Sequence, residues 1–287
     1  MISALSNGGA TSTTSIPTTG SSRQIRRTAS RSSREVIPPG SGVPVPGAIP
    51  GSTTSISTDK NTPSLPKENE VQFLLQPTFG AQPLVLDQTY ISDEGYAIQF
   101  TEIKCYFTSL FIGSNLYTTA ALFDYRQKGS FVIKAKSSAK DDDTLVFLLG
   151  VDSSYNHIDP SSFPTTNPLN IAVANDMHWD WNPGYIFVKI EAKVDTLIDG
   201  IETFNHVAVF HVGGDSYLRK MSFSNLNWQA LSPNLKQFKL KFDAQKFLNN
   251  GVYSIDIKEE FSTHSSAGQE ALTQKVMEQF KSAISVY

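Results

Sequence analysis

A single cysteine, Cys105, stands in 287 residues, so no intramolecular disulfide can form. No apolar run reaches the 18 or so residues of a membrane-spanning helix, and integration into a membrane through such a helix is excluded. Charged residues make up only 18% of the chain, low for a soluble protein, and the net charge is −3. The first 72 residues contain no aromatic side chain, although Phe, Tyr and Trp make up 11% of the whole. Several enzyme signatures are missing too: there is no P-loop, no GxGxxG after a strand, no GxSxG and no HExxH.

What is present divides sharply. Residues 1–66 hold 24 Ser/Thr, 8 of the 15 Pro and 7 of the 18 Gly. Such a segment buries too little apolar surface to offset its ordering entropy. It carries a net charge of +4, which leaves −7 on residues 67–287, a basic arm on an acidic body. All five arm arginines (Arg23, Arg26, Arg27, Arg31 and Arg34) lie between Ser and Thr, as either a solvated tail or a site for an anionic partner. The stretch Val36–Pro50 favours extended polyproline-like conformations, with Val36, Ile37, Val43, Val45 and Ile49 as its apolar anchors. Residues 1–16 have neither the positive start nor the apolar region of an export signal.

In the body, short β-rich runs are separated by turn signals. They are expected at 71–77, 83–91, 96–112, 117–123, 130–136, 144–152, 185–194, 206–212, 217–223, 235–242 and 253–258. The run Gln237–Phe242 alternates, its even positions facing a core and its odd ones water. Residues 144–150 are almost continuously apolar and read as a strand covered on both faces. Only the C-terminus has a helical pattern: Leu272, Val276, Phe280 and Ile284 recur at four-residue steps behind a capping box of Ser266 and Gln269. The predicted fold is mainly β: an antiparallel β-sandwich with long loops, a C-terminal helix near 267–284 and an extended or disordered N-terminal arm.

Residues 150–180 hold Pro160, Pro164 and Pro168 without a strand pattern, a long loop of the kind that carries function on a β scaffold. This region supplies His157 and His178 beside Trp179 and Trp181, and His211 follows on a strand. Three imidazoles with few carboxylates suit copper or zinc better than calcium. Each histidine alone reads more readily as a surface or hydrogen-bonded ring than as a ligand. At least one tryptophan is expected in the core. Cys105 reads as a buried inert thiol and Asp141–Asp143 as a solvated turn.

The body resembles the MbnP-like family over about residues 69–287. The resemblance rests on Gly80-Ala81-Gln82-Pro83-Leu84-Val85-Leu86, Lys104-Cys105-Tyr106-Phe107-Thr108-Ser109-Leu110, Gly150-Val151-Asp152 and Asn156-His157-Ile158-Asp159-Pro160. Its most specific piece is Met177-His178-Trp179-Asp180-Trp181-Asn182-Pro183-Gly184-Tyr185-Ile186-Phe187, followed by Phe210-His211-Val212-Gly213 and the terminal Ala271–Val276. The resemblance implies a secreted, extracellular or periplasmic β-sandwich, and in some relatives a copper site of histidines and an oxidised tryptophan. Carried over by motif, the metal residues are His157, His211 and one of Trp179 or Trp181, with His178 as a further candidate. Two function classes follow: a non-enzymatic, copper-binding or chaperone-like module, and a structural subunit of a filament, surface layer or capsid-like shell joined through residues 1–66. An enzyme ranks behind both, since no activated nucleophile or acid/base pair is visible.

Overall fold

In the computed structural model, residues 69–174, 176–179 and 184–287 are described. The basic arm, with its arginine cluster and apolar anchors, lies outside the described residues, as does Trp181. The first half of the body forms β1 (Glu70–Phe79), β2 (Gln82–Pro83), β3 (Thr89–Ile91), β4 (Ala97–Ile112), β5 (Asn115–Asp124), α1 (Tyr125–Lys128), β6 (Phe131–Lys136) and β7 (Leu145–Leu149). After α2 (Ser153–Asn156) come β8 (Ile186–Asp195), β9 (His206–Gly213), β10 (Arg219–Phe223), β11 (Gln229–Ser232) and β12 (Leu235–Asp243). The chain ends with α3 (Ala244–Leu248), β13 (Ser262–Thr263), α4 (Glu270–Ser282) and β14 (Ile284–Val286).

Two sheets result. One runs β11-β12-β1-β2, with β14 on β12 and β6 on β1. The other is organised around the long strand β4, which pairs with β3, β5, β7 and β8; β9, β10 and β13 extend it. Pairing is antiparallel except for β1 with β12 and β13 with β9, which are parallel. Gln237, expected to face water, is buried and donates to Gln229 at 3.1 Å. The alternation read in β12 holds from Phe238 on: Phe238, Leu240 and Phe242 are fully buried. They meet Phe73 of β1, which stacks on Phe238 at 4.8 Å and touches Phe107 of β4 at 5.4 Å. These contacts join the two inner faces, the arrangement expected of a β-sandwich. Cys105 is buried in that core, and burial pushes its thiol well up, so it is an inert packing residue.

Five further local expectations change. The run expected at 83–91 is two short strands, β2 and β3, with residues 84–88 outside any strand. Residues 253–258 form no strand; Ile255 and Ile257 are buried from a loop whose turns are closed by the side chains of Asn250 and Asp256. β7 alternates instead of being covered on both faces: Leu145, Phe147 and Leu149 are buried, Val146 and Leu148 only half so. The helix begins at Glu270, with Gln269 and not Ser266 as its N-cap. Gln269 still performs half of the expected box, its Oε1 accepting from the backbone N–H of His264 at 2.9 Å and of Ser266 at 3.3 Å. Finally, Ile284 continues the helical stripe into a strand, opposite Phe242.

The outer face of the β4 sheet decides where a site can lie. The described residues between 150 and 185 bury a second core on it, in which Leu169, Met177 and Trp179 pack with Tyr106, Tyr185 and Phe187. Tyr106 donates to the carbonyl of Pro168 at 2.9 Å and Tyr185 to that of Leu169, tying this segment down.

Candidate metal centre

On this outer face, β4 presents Glu102 and Lys104, β8 presents Lys189 and Glu191, and β9 presents His211. Direct cross-strand partners carry like charge: Lys104 faces Lys189 and Glu102 faces Glu191. Such pairs are destabilising unless neighbours of opposite charge intervene. Here they do. Glu102 accepts from both ammonium groups at 2.7 Å. Lys104 also reaches Asp176 at 2.7 Å and Asp124 at 3.7 Å. Lys189 reaches Asp176 as well, and Glu191 at 3.4 Å. Burial pulls each lysine's pKa down, but hydrogen bonds to Asp176 and Glu102 outweigh it and hold both above the ordinary lysine value.

The chain of charges ends on imidazoles. His211 donates from Nε2 to Glu191 at 2.9 Å, a bond that holds the Glu191 carboxyl at about 2. With Glu191 ionised, Nε2 carries the proton, so when the ring is neutral its lone pair lies on Nδ1. His264 lies edge-on to His211, with ring centroids 5.0 Å apart. It arrives there because β13 runs parallel beside β9 and Ser265, with φ 55°, turns back. The Ser265 hydroxyl accepts from the Gly213 N–H at 3.0 Å. Burial, reinforced by His211, lowers the His264 pKa and favours the neutral ring that a metal ligand needs.

Gly213 and Trp179 explain the spacing of the Phe210–Gly213 step. Phe210 and Val212 enter the core, His211 faces outward, and the Trp179 ring lies on Gly213, where an added Cβ would come within 2.6 Å of it. Trp179 is buried, as expected of at least one tryptophan. His178 forms an isolated bridge with Tyr185 and meets its ring edge-on at 5.0 Å. An open pocket of about 410 Å³ is lined by Ile171, Asp176, His178, Trp179, Ile186, His211 and His264.

Of the residues singled out in the sequence, His178, Trp179 and His211 thus meet in one pocket. His157 does not line it. It follows α2, half exposed, with Nε2 2.9 Å from Asp215, whose carboxylate also accepts from Asn156 at 2.8 Å. His264 carried no signal in sequence, since only tertiary pairing of β13 with β9 brings it to His211. Among the described residues, no three His, Cys, Asp or Glu side chains are already gathered as a metal cage. The donor chemistry nonetheless fits copper: three imidazoles border the same open space, while both oxygens of the one bordering carboxylate, Asp176, are taken by the lysines.

The MbnP family model matches residues 68–267, which include the whole pocket. The chain belongs to the MbnP family. A solved structure, MbnP from Methylosinus trichosporium, is similar over 66% of this chain and 79% of that one, with 17% identity and a TM-score of 0.43. No curated protein matches the chain. Among the described residues, no helix is long and apolar enough to cross a membrane.

Proposed function

We propose that this MbnP-family protein is a non-enzymatic, extracytoplasmic copper-binding protein, handling the metal as cargo. The observation that carries the reading is the His211–His264 ring pair. His211 is fixed through Nε2 by Glu191, which leaves Nδ1 as the nitrogen that could ligate, and burial lowers the pKa of His264 beside it. A carboxylate that fixes one ring nitrogen so that the other can ligate is the usual outer-shell arrangement around a metal-bound histidine. His211 and His264 would hold the ion, with His178 and Trp179 bordering it. The oxidised-tryptophan ligand that family resemblance implies would come from Trp179 or Trp181. An extracytoplasmic location follows from family resemblance and is part of the proposal.

Anaerobic Cu(I) titration of the full chain against a chromogenic chelator tests this. One copper per chain is expected, and His211→Ala or His264→Ala should each weaken binding by about tenfold or more. His157→Ala shows whether a histidine now engaged by Asp215 also takes part. If the chelator retains all the copper, the proposal fails.

A further inference from the structure

We propose that Asp176 is a positioning residue, a carboxylate clamp that seats the His178–Trp179 segment over the pocket. Its importance for metal binding rests on the copper reading above; its role as a clamp does not.

Lys104 and Lys189 lie side by side on adjacent strands, with side chains only 4% and 7% exposed. Two buried ammonium groups in contact need more than one carboxylate between them. Within the sheet Glu102 bridges both at 2.7 Å, while Asp124 on Lys104 at 3.7 Å and Glu191 on Lys189 at 3.4 Å stand farther off. Asp176 also bridges both, with Oδ1 on Lys104 at 2.7 Å and Oδ2 on Lys189, and it comes from the segment between 150 and 185. Among the described residues of that segment, Asp176 alone pairs with these lysines. The sheet's own carboxylates balance the two lysines, and Asp176 adds close contacts to both, so the segment is held where those contacts are made.

The backbone is shaped for this contact. Asp176 adopts φ 60°, a left-handed conformation that aspartate tolerates better than most residues, at some cost. The next residue, Met177, is fully buried in the second core, and its carbonyl accepts from Ile186 N–H at 2.9 Å. Trp179 N–H donates to Gly184 at 3.1 Å, and its ring rests on Gly213. A single carboxylate thus fixes the point from which His178 and Trp179 enter the pocket wall, while its own side chain stays 55% exposed. Removing its charge should let the segment lift while leaving the sheets paired.

Hydrogen exchange followed by mass spectrometry on the metal-free full chain tests the clamp directly. In Asp176→Asn the amides of Met177–Trp179 and Tyr185–Ile186 should exchange about tenfold faster or more, with the β1 and β12 amides unchanged. Asp176→Glu should restore most of the protection. Copper affinity of Asp176→Asn should fall by about ten- to hundredfold while the thermal midpoint of the sandwich moves little. If the Asn variant does not fold, Lys189→Met serves the same exchange readout, because it strips Asp176 of one partner and the other partners of Lys189, Glu102 and Glu191, are only partly buried. Unchanged exchange overturns the clamp. Faster exchange with wild-type copper affinity overturns its positioning role. A wild-type chain that binds no copper defeats the copper reading alone, and the exchange result still decides the clamp.

Discussion

At the scale of single residues, the outer face depends on close approach and paired charge. Gly213 has no room for a side chain: a Cβ would lie 2.4 Å from the Tyr185 carbonyl oxygen and 2.6 Å from the Trp179 ring. Gly213→Ala should therefore cost about 1–3 kcal/mol in urea unfolding, through forced displacement of the ring. A cost near zero would show that Trp179 is not seated there. Lys189 offers a test by pH. Its folded pKa is raised above the ordinary 10.5 because bonds to Asp176 and Glu102 outweigh burial. A raised basic pKa contributes stability that is fully present below the unfolded value and is lost as pH rises through the folded one. Between pH 9 and 12, the wild type should lose stability above pH 10.5 more steeply than Lys189→Met. Parallel curves for the two proteins would remove the lysine from the account.

At the scale of elements, the strands were legible where one face is buried and the other wet. β12 shows this in its residues, with Phe238, Leu240 and Phe242 inside and Lys239 and Lys241 outside. The reading failed where alternation had another cause. Ile255 and Ile257 are two residues apart and both buried, but side-chain-capped turns hold them. The short elements β11, β13, β14 and α3 escaped because two to five residues carry too little periodicity. Helix α4 was legible from its stripe, and its energetic role can be checked. Phe280 stacks on Phe242 at 4.5 Å and meets Phe247 edge-on at 6.3 Å. Fully buried, its replacement in Phe280→Ala should cost about 3–5 kcal/mol, as for other core phenylalanines. A loss below 1 kcal/mol in chemical denaturation would mean that α4 is dispensable to the core.

At the scale of the whole molecule, the outline of a β body was legible, and the site only in part. His178, Trp179 and His211 were visible as a cluster of unusual residue types on a long loop and the strand after it. His264 and the paired lysines were not, because their meaning arises from strand register: Lys104 is remarkable only opposite Lys189. The boundary between arm and body was drawn from composition, and the main core packs on residues from Val71 onward. Residues 67–287 should accordingly fold without residues 1–66. The truncated chain is expected to keep the β-dominated circular dichroism spectrum and a thermal midpoint close to that of the full chain, because removing a segment without aromatics deletes little buried apolar surface. Solution mass then separates the arm's two readings. If the arm's +4 holds neighbouring bodies of −7, the full chain should be larger than a monomer at low salt, smaller at high salt, and monomeric after truncation. Identical assembly with and without residues 1–66 would reduce the arm to a solvated tail, and unfolding of the truncated chain would move the domain boundary itself.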